Sequence, residues 1–157
     1  MGSHNFVTYA KGKTVAEAYH NAVDHAYYES GHDAYNGTIS TTSGVIDLDK
    51  YFPKGTTDKT KAKIMVRLIP LQMALETNDE EIRPDTRYSW HPVYRPKLLD
   101  EPPKTDKYAR KLWFELNPKQ RKILVEIAKN VHMRKWESCA GIQLHNGMCI
   151  FVGWAAS

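Results

Sequence analysis

A capped, one-sided helix near the start of the chain sets the terms for everything that packs against it. Thr14-Val15-Ala16-Glu17 has the form of a capping box: the hydroxyl suits the amide three residues on, and the carboxylate reaches back. Val15, Ala18, Tyr19, Ala22, Val23, Ala26 and Tyr27 then recur at i, i+3, i+4 and i+7, which predicts an amphipathic helix ending near Gly31. Such a stripe must be buried against a sheet or further helices. Phe6–Ala10, just before it, reads as a strand with Phe6, Thr8 and Ala10 on one side and Val7 and Tyr9 on the other.

The segment after the helix, Gly31-His32-Asp33-Ala34-Tyr35-Asn36-Gly37-Thr38-Ile39-Ser40-Thr41-Thr42-Ser43-Gly44, is poor in bulk and rich in hydroxyls. Asn36-Gly37 predicts a tight turn, and Thr38–Ile46 a strand across which Ser40, Thr41, Thr42 and Ser43 alternate. Threonine and serine fill a pleated surface only partly and leave donors to satisfy. The expectation is a polar pocket wall, with a turn and a solvated edge strand as the plainer alternative.

At the far end, Asn146-Gly147 predicts a hairpin with a two-residue type I′ turn between Ala140–His145 and Met148–Trp154. That register sets Leu144 opposite Cys149 and Cys139 opposite Trp154. The only two cysteines then fall on opposite faces, which argues against a bridge or a shared zinc and for a reducing compartment. Asn117-Pro118 forms an N-cap and N1 pair for a helix over Lys119–His132, buried through Ile123, Leu124, Ile127, Ala128 and Val131, and Asp106–Leu116 reads as a helix before it. Lys59–Ile69 fits a strand through Ile64, Val66 and Leu68, or a helix through Ala62, Met65, Val66 and Ile69; the strand is preferred, and Pro70 is expected to end either. Residues 82–105, with five prolines, read as a long extended loop.

A chain of 157 residues suffices for one domain with a real core. The expected fold is therefore a single α+β domain: a mainly antiparallel sheet, two or three packed helices and a C-terminal β-hairpin. No apolar run nears the roughly 18 residues a membrane helix needs, so a soluble, cytoplasmic protein without a membrane partner is expected. Oligomeric state is not legible at this level.

Charge is uneven: residues 1–82 hold 8 Lys/Arg and 11 Asp/Glu, residues 83–157 hold 14 and 7. An anionic partner or a solvated basic face both produce such asymmetry. Arg83 to Lys97 interleaves cations with Tyr88, Trp90 and Tyr94, a composition that holds a base or a single strand when it is not simply a loop pinned by its aromatics. Lys119, Arg121, Lys122, Lys129, Arg134 and Lys135 fall mostly off the apolar stripe of the last helix, as a solvated or phosphate-contacting face. The phosphate-binding glycine motifs, the paired motifs of two-histidine phosphoesterases, the nucleophile elbow and the spaced Cys/His sets of metal sites are all missing. No metal or cofactor is expected.

Gly2-Ser3-His4-Asn5-Phe6, the Ala-rich helix and the Gly31–Gly44 segment together resemble small non-structural proteins of tailed bacteriophages, over the N-terminal third of the chain. The resemblance carries no activity. It implies an accessory role in an infected bacterium, in host takeover or against host defence.

Three functions follow as expectations. The first is a binding module without turnover, in which His32, Tyr35, Ser40 and Thr42 contact the phosphate or ribose of a nucleotide or single-stranded nucleic acid while Arg87, Trp90 and Arg95 close over a base. The second is a small nucleotide-directed hydrolase with His4 and His32 as acid and base, which requires the two imidazoles to share a pocket. The third is a protein-interaction module that inhibits a host enzyme through the loop aromatics.

Overall fold

The computed structural model describes residues 2–33, 35–77, 102–103, 106–131, 133 and 136–157. The fold is α+β, with a four-stranded sheet that is antiparallel except at one edge. In chain order the elements are β1 (Ser3–Lys11), α1 (Val15–Ser30), a 3₁₀ turn (Ile39–Thr41), β2 (Val45–Asp47), a second 3₁₀ turn (Asp49–Tyr51), α2 (Asp58–Thr77), α3 (Lys107–Phe114), α4 (Pro118–Asn130), β3 (Cys139–Gln143) and β4 (Met148–Ala156). They fall into two compact units, one of residues 1–69 with 132–157 and one of residues 70–131.

The first unit holds the sheet, in the order β1-β4-β3-β2. α1 begins at its predicted cap, the Thr14 hydroxyl accepting from the Glu17 amide at 3.1 Å, but the expected return bond to the Glu17 carboxylate does not complete a capping box. Its stripe of Val15, Ala18, Tyr19, Ala22 and Ala26 packs with Ile39, Cys139, Cys149 and Phe151, and Phe6, Ala10 and Val45 close the cluster from the sheet edges. Burying side chains of this size stabilises the unit by roughly 1.5–3 kcal/mol for each large residue.

Three local expectations are corrected. Ser40, Thr41, Thr42 and Ser43 do not alternate along a strand: residues 39–41 form a 3₁₀ turn, and the strand is only Val45–Asp47, parallel to β3. Hydroxyls that bond their own neighbours' carbonyls compete with a ladder, and here they win. Lys59–Ile69 is helical, not a strand. Thr57 caps it, its hydroxyl accepting from the Thr60 amide at 3.2 Å, and Ile64, Met65, Leu68 and Ile69 are buried while Val66 is exposed. Pro70 does not end this helix, which runs on to Thr77. A mid-helix proline removes one bond, to the carbonyl four residues back, and the apolar residues on both sides (Ile69, Leu71) bury regardless. The division between the two units falls at this proline.

The C-terminal hairpin forms, but in another register. Gly147 has φ +79°, and Asn146 does not share the positive φ that a type I′ turn demands of both central residues. The Leu144 amide donates to the Met148 carbonyl at 2.8 Å across a three-residue loop, so Gln143 faces Cys149 and Gly141 faces Phe151. A slip of one residue flips every side chain of a strand. Cys139 and Cys149 therefore share the face beneath α1. They still cannot pair: four residues of strand separate Cys139 from the partner of Cys149, roughly 13 Å.

In the second unit α3 and α4 follow one another across the short turn of Glu115–Asn117. Asp106 caps α3 by accepting from the Ala109 amide, and Asn117 with Gln120 forms a full capping box on α4, with Pro118 at its first position. Leu112, Trp113, Leu116, Leu124, Ile127 and Ala128 are buried. The buried Gln72 amide donates to the Val131 carbonyl at 2.7 Å, satisfying the end of α4.

Candidate functional site

The hydroxyl-rich segment is braced by its own side chains. The Thr38 hydroxyl donates to Asn36 Oδ1 at 2.7 Å, Asn36 Nδ2 donates to Ser40 Oγ at 2.8 Å, and Ser40 and Thr38 hydroxyls meet at 2.8 Å. Because an amide oxygen only accepts, the Ser40 proton must point to Thr38, and the three side chains close a ring. Thr41 Oγ1 donates to the Thr38 carbonyl and accepts from the Ala156 amide, fastening the turn to β4. Thr42 Oγ1 donates to the Ile39 carbonyl and meets the Tyr19 hydroxyl at 2.8 Å. Ser40 is thus committed to the side chains of Asn36 and Thr38, and Thr42 to the backbone of the segment.

Its aromatic residues face outward. The exposed His32 ring stacks on Tyr27 at 4.3 Å and 19°. Tyr35 makes an edge contact with Trp136 at 5.2 Å and 84°, both 42% exposed, and Trp136 is the one described non-glycine residue at positive φ (72°). A bulky residue in that region is strained, a state that clusters at functional surfaces.

His4 reaches this segment by an unexpected route. β1 and β2 lie at opposite edges of the sheet, so the first strand does not run beside the second. Instead the Gly37 amide donates to the Ala156 carbonyl, and a Cβ at Gly37 would lie 2.6 Å from His4 Cε1. His4 therefore lies against the turn, whereas His32 stacks at the end of α1. Arg87, Trp90 and Arg95 and the aromatic-basic loop lie outside the described residues.

A pair that sequence reasoning missed joins α2 to the hairpin. Asp58 Oδ1 accepts from both the backbone amide and Nδ1 of His145, each at 2.8 Å. These bonds, the backbone one first, hold the Asp58 carboxyl below the usual carboxylate range. The nearby Thr57 and Thr60 hydroxyls bond each other, so the pair is a brace between a helix start and a turn.

The concave site of the second unit lies between the end of α3 and the first turns of α4. It is a pocket of about 470 Å³ walled by Trp113, Phe114, Pro118, Arg121, Lys122 and Val125, with Pro102 at its margin. Spacing accounts for the lining: 118, 121, 122 and 125 share one face of α4, and the loop of Glu115–Asn117 turns the chain back so that Trp113 and Phe114 meet it. Trp113 is buried, while Phe114 is 54% exposed. The Arg121 guanidinium lies over both rings, at 5.5 Å from Trp113 and 5.4 Å from Phe114, and its Nε donates to the Trp113 carbonyl. Arg110 lies over Phe114 at 5.2 Å and donates to the Pro103 carbonyl. Both guanidiniums are thereby held in place before any ligand arrives.

The charge of the chain is concentrated on this stretch. Residues 106–131 hold 7 Lys/Arg and 3 Asp/Glu, and the remainder of the sequence holds 15 of each, so the α3–α4 stretch accounts for the whole net charge of +4. Among the described residues no group of three or more His, Cys, Asp or Glu is placed to hold a metal ion, and no helix is long and apolar enough to cross a membrane. Comparison with family models, with curated proteins and with solved structures gives no match.

Proposed function

We propose that this protein binds a nucleotide or single-stranded nucleic acid without turning it over, and that the pocket between α3 and α4 makes the contact. The observation that carries this reading is Phe114, a ring left 54% exposed with two guanidiniums over it, on a stretch of the chain with four more cations than anions. Guanidinium planes and an exposed ring offer flat surfaces on which any base stacks, and Arg121 and Lys122 offer the charge that a phosphate seeks. A volume of about 470 Å³ lies within the range of small-molecule sites, large enough for one nucleotide unit. The accessory role of a phage-type protein, in host takeover or anti-defence, is compatible with such an activity.

Thermal shift against mono-, di- and cyclic nucleotides and short single strands of DNA and RNA tests it. A saturable rise in melting temperature, shrinking steeply with salt, is expected. A flat profile at low salt would remove this reading and turn the search to host-protein partners. A second reading, hydrolysis by His4 and His32, draws on the contact of His4 with Gly37. It requires product in the same mixtures and its loss in His32→Ala; intact ligand throughout would dismiss it.

A further inference from the structure

The first strand leaves one edge of the sheet open, and its pattern fits a second copy of itself. Among the described residues β1 pairs only with β4, in unbroken register from Ser3–Ala156 to Lys11–Met148. Just beyond, Gly2 and Ser157 exchange both backbone bonds, at 2.9 and 3.1 Å. Bonded and non-bonded pairs alternate along an antiparallel ladder. His4, Phe6, Thr8 and Ala10 therefore bond inward to β4, and the amides and carbonyls of Ser3, Asn5, Val7, Tyr9 and Lys11 point away from the sheet. Ala156, the register partner of Ser3, has the same phase, since its carbonyl and amide turn away from β1 to Gly37 and Thr41. The Lys11 carbonyl accepts from Asn21 Nδ2.

The side chains of these outward residues are also uncovered. Ser3, Asn5, Val7, Tyr9 and Lys11 share one face and are all exposed, Val7 by 47% and Tyr9 by 51%. On the same face of β4 and β3, Val152, Ile150 and Ile142 are buried, so an apolar surface stops abruptly at the edge strand. The usual protections of an edge are missing from β1: it has nine residues, no proline, no bulge and a single full charge at its end. The opposite edge, β2, is three residues long and ends in Asp47.

We propose that two copies of this chain join through β1, antiparallel about Val7, to form one continuous eight-stranded sheet. Val7 would face Val7 of the second copy, Asn5 would face Tyr9, and Ser3 would face Lys11. All three pairs have their hydrogen-bonding groups pointing outward, so the register is in phase with the open donors and acceptors, the Lys11 carbonyl alone being already engaged by Asn21. The two Lys11 side chains lie at opposite ends and never meet, so the strand carries no charge that opposes pairing with its own copy. A two-fold axis uses both open edges and leaves only the short β2 edges, so assembly closes at the dimer.

Sedimentation equilibrium over a wide range of concentration tests this with two variants. The wild type is expected at twice 18.0 kDa at high micromolar concentration. Val7→Pro deletes an outward amide without touching the β4 ladder, and Val7→Lys sets two like charges face to face across the axis. Each is expected to weaken the dimer by about tenfold or more. Far-ultraviolet circular dichroism reports whether each variant folds, and Val7→Lys decides if Val7→Pro does not. A wild type that stays at 18.0 kDa throughout, or a dimer unmoved by folded Val7→Lys, overturns the proposal.

Discussion

Gly141 lies across from Phe151 in the hairpin, and a Cβ there would stand 2.7 Å from two carbons of that ring and 3.0 Å from a Val45 methyl. Phe151 is fully buried and cannot swing away. Gly141→Ala is therefore expected to destabilise the first unit by about 1–3 kcal/mol, read from chemical denaturation. The same register brings both thiols beneath α1, and burial pushes the Cys139 thiol up to about 12. An acid raised in this way favours its neutral form in the fold, so its contribution is intact below the unfolded value near 9 and is lost as pH climbs from there towards 12. At pH 8 a thiol reagent should label neither cysteine in the native protein and both after unfolding; rapid native labelling would contradict the burial of both. At the same scale, Thr41 and Thr42 show why a hydroxyl-rich run is ambiguous in a sequence. Their composition suits a ligand, yet each proton goes to a carbonyl three residues back.

Elements were legible where caps and stripes agreed. α1 and α4 begin at the predicted caps and bury most of the predicted faces, with Val125 buried on α4 where Ile123 was expected, because a hydroxyl or amide cap and a 3.6-residue period point the same way. α2 was misread because Ile64, Val66 and Leu68 satisfy the strand period as well as Met65 and Ile69 satisfy the helical one, and because Pro70 is a breaker that this helix absorbs. The hairpin was legible but its register was not, since Asn-Gly suits both a two-residue turn and a three-residue loop with glycine at the bulge. The Asp58–His145 brace joins residues 87 apart and has no local signal. Its pH behaviour follows from the direction of the Asp58 shift: a depressed carboxyl stabilises above its ordinary value of 3.8, and the contribution is lost as pH falls through the lower folded value. Asp58→Asn is thus expected to lower the neutral-pH melting temperature and to flatten its fall below about pH 4. Equal acid sensitivity in the variant and the wild type would show that the brace carries none of it.

Across the whole molecule, charge and sheet are divided between different parts of the chain. The sheet belongs to the first unit, and the excess of cations lies on the α3–α4 stretch. The basic asymmetry was visible in the sequence, but its focus was not. Trp113 and Phe114 are adjacent, so a helix cannot bury both on one stripe, and that is the signal that marks Phe114 as the exposed wall of a site. Arg121 and Lys122 read as a solvated or phosphate-contacting face; after the turn at Asn117, Arg121 lies over those rings and Lys122 lines the same pocket. The most direct test is a fluorescence-anisotropy titration of a labelled single-stranded oligonucleotide at two salt concentrations, on the wild type, Phe114→Ala and Lys122→Ala. Saturable binding is expected, weakened about tenfold by Phe114→Ala, with a salt slope smaller by about one unit in Lys122→Ala. Binding that neither variant alters, or no binding at low salt, would contradict the account.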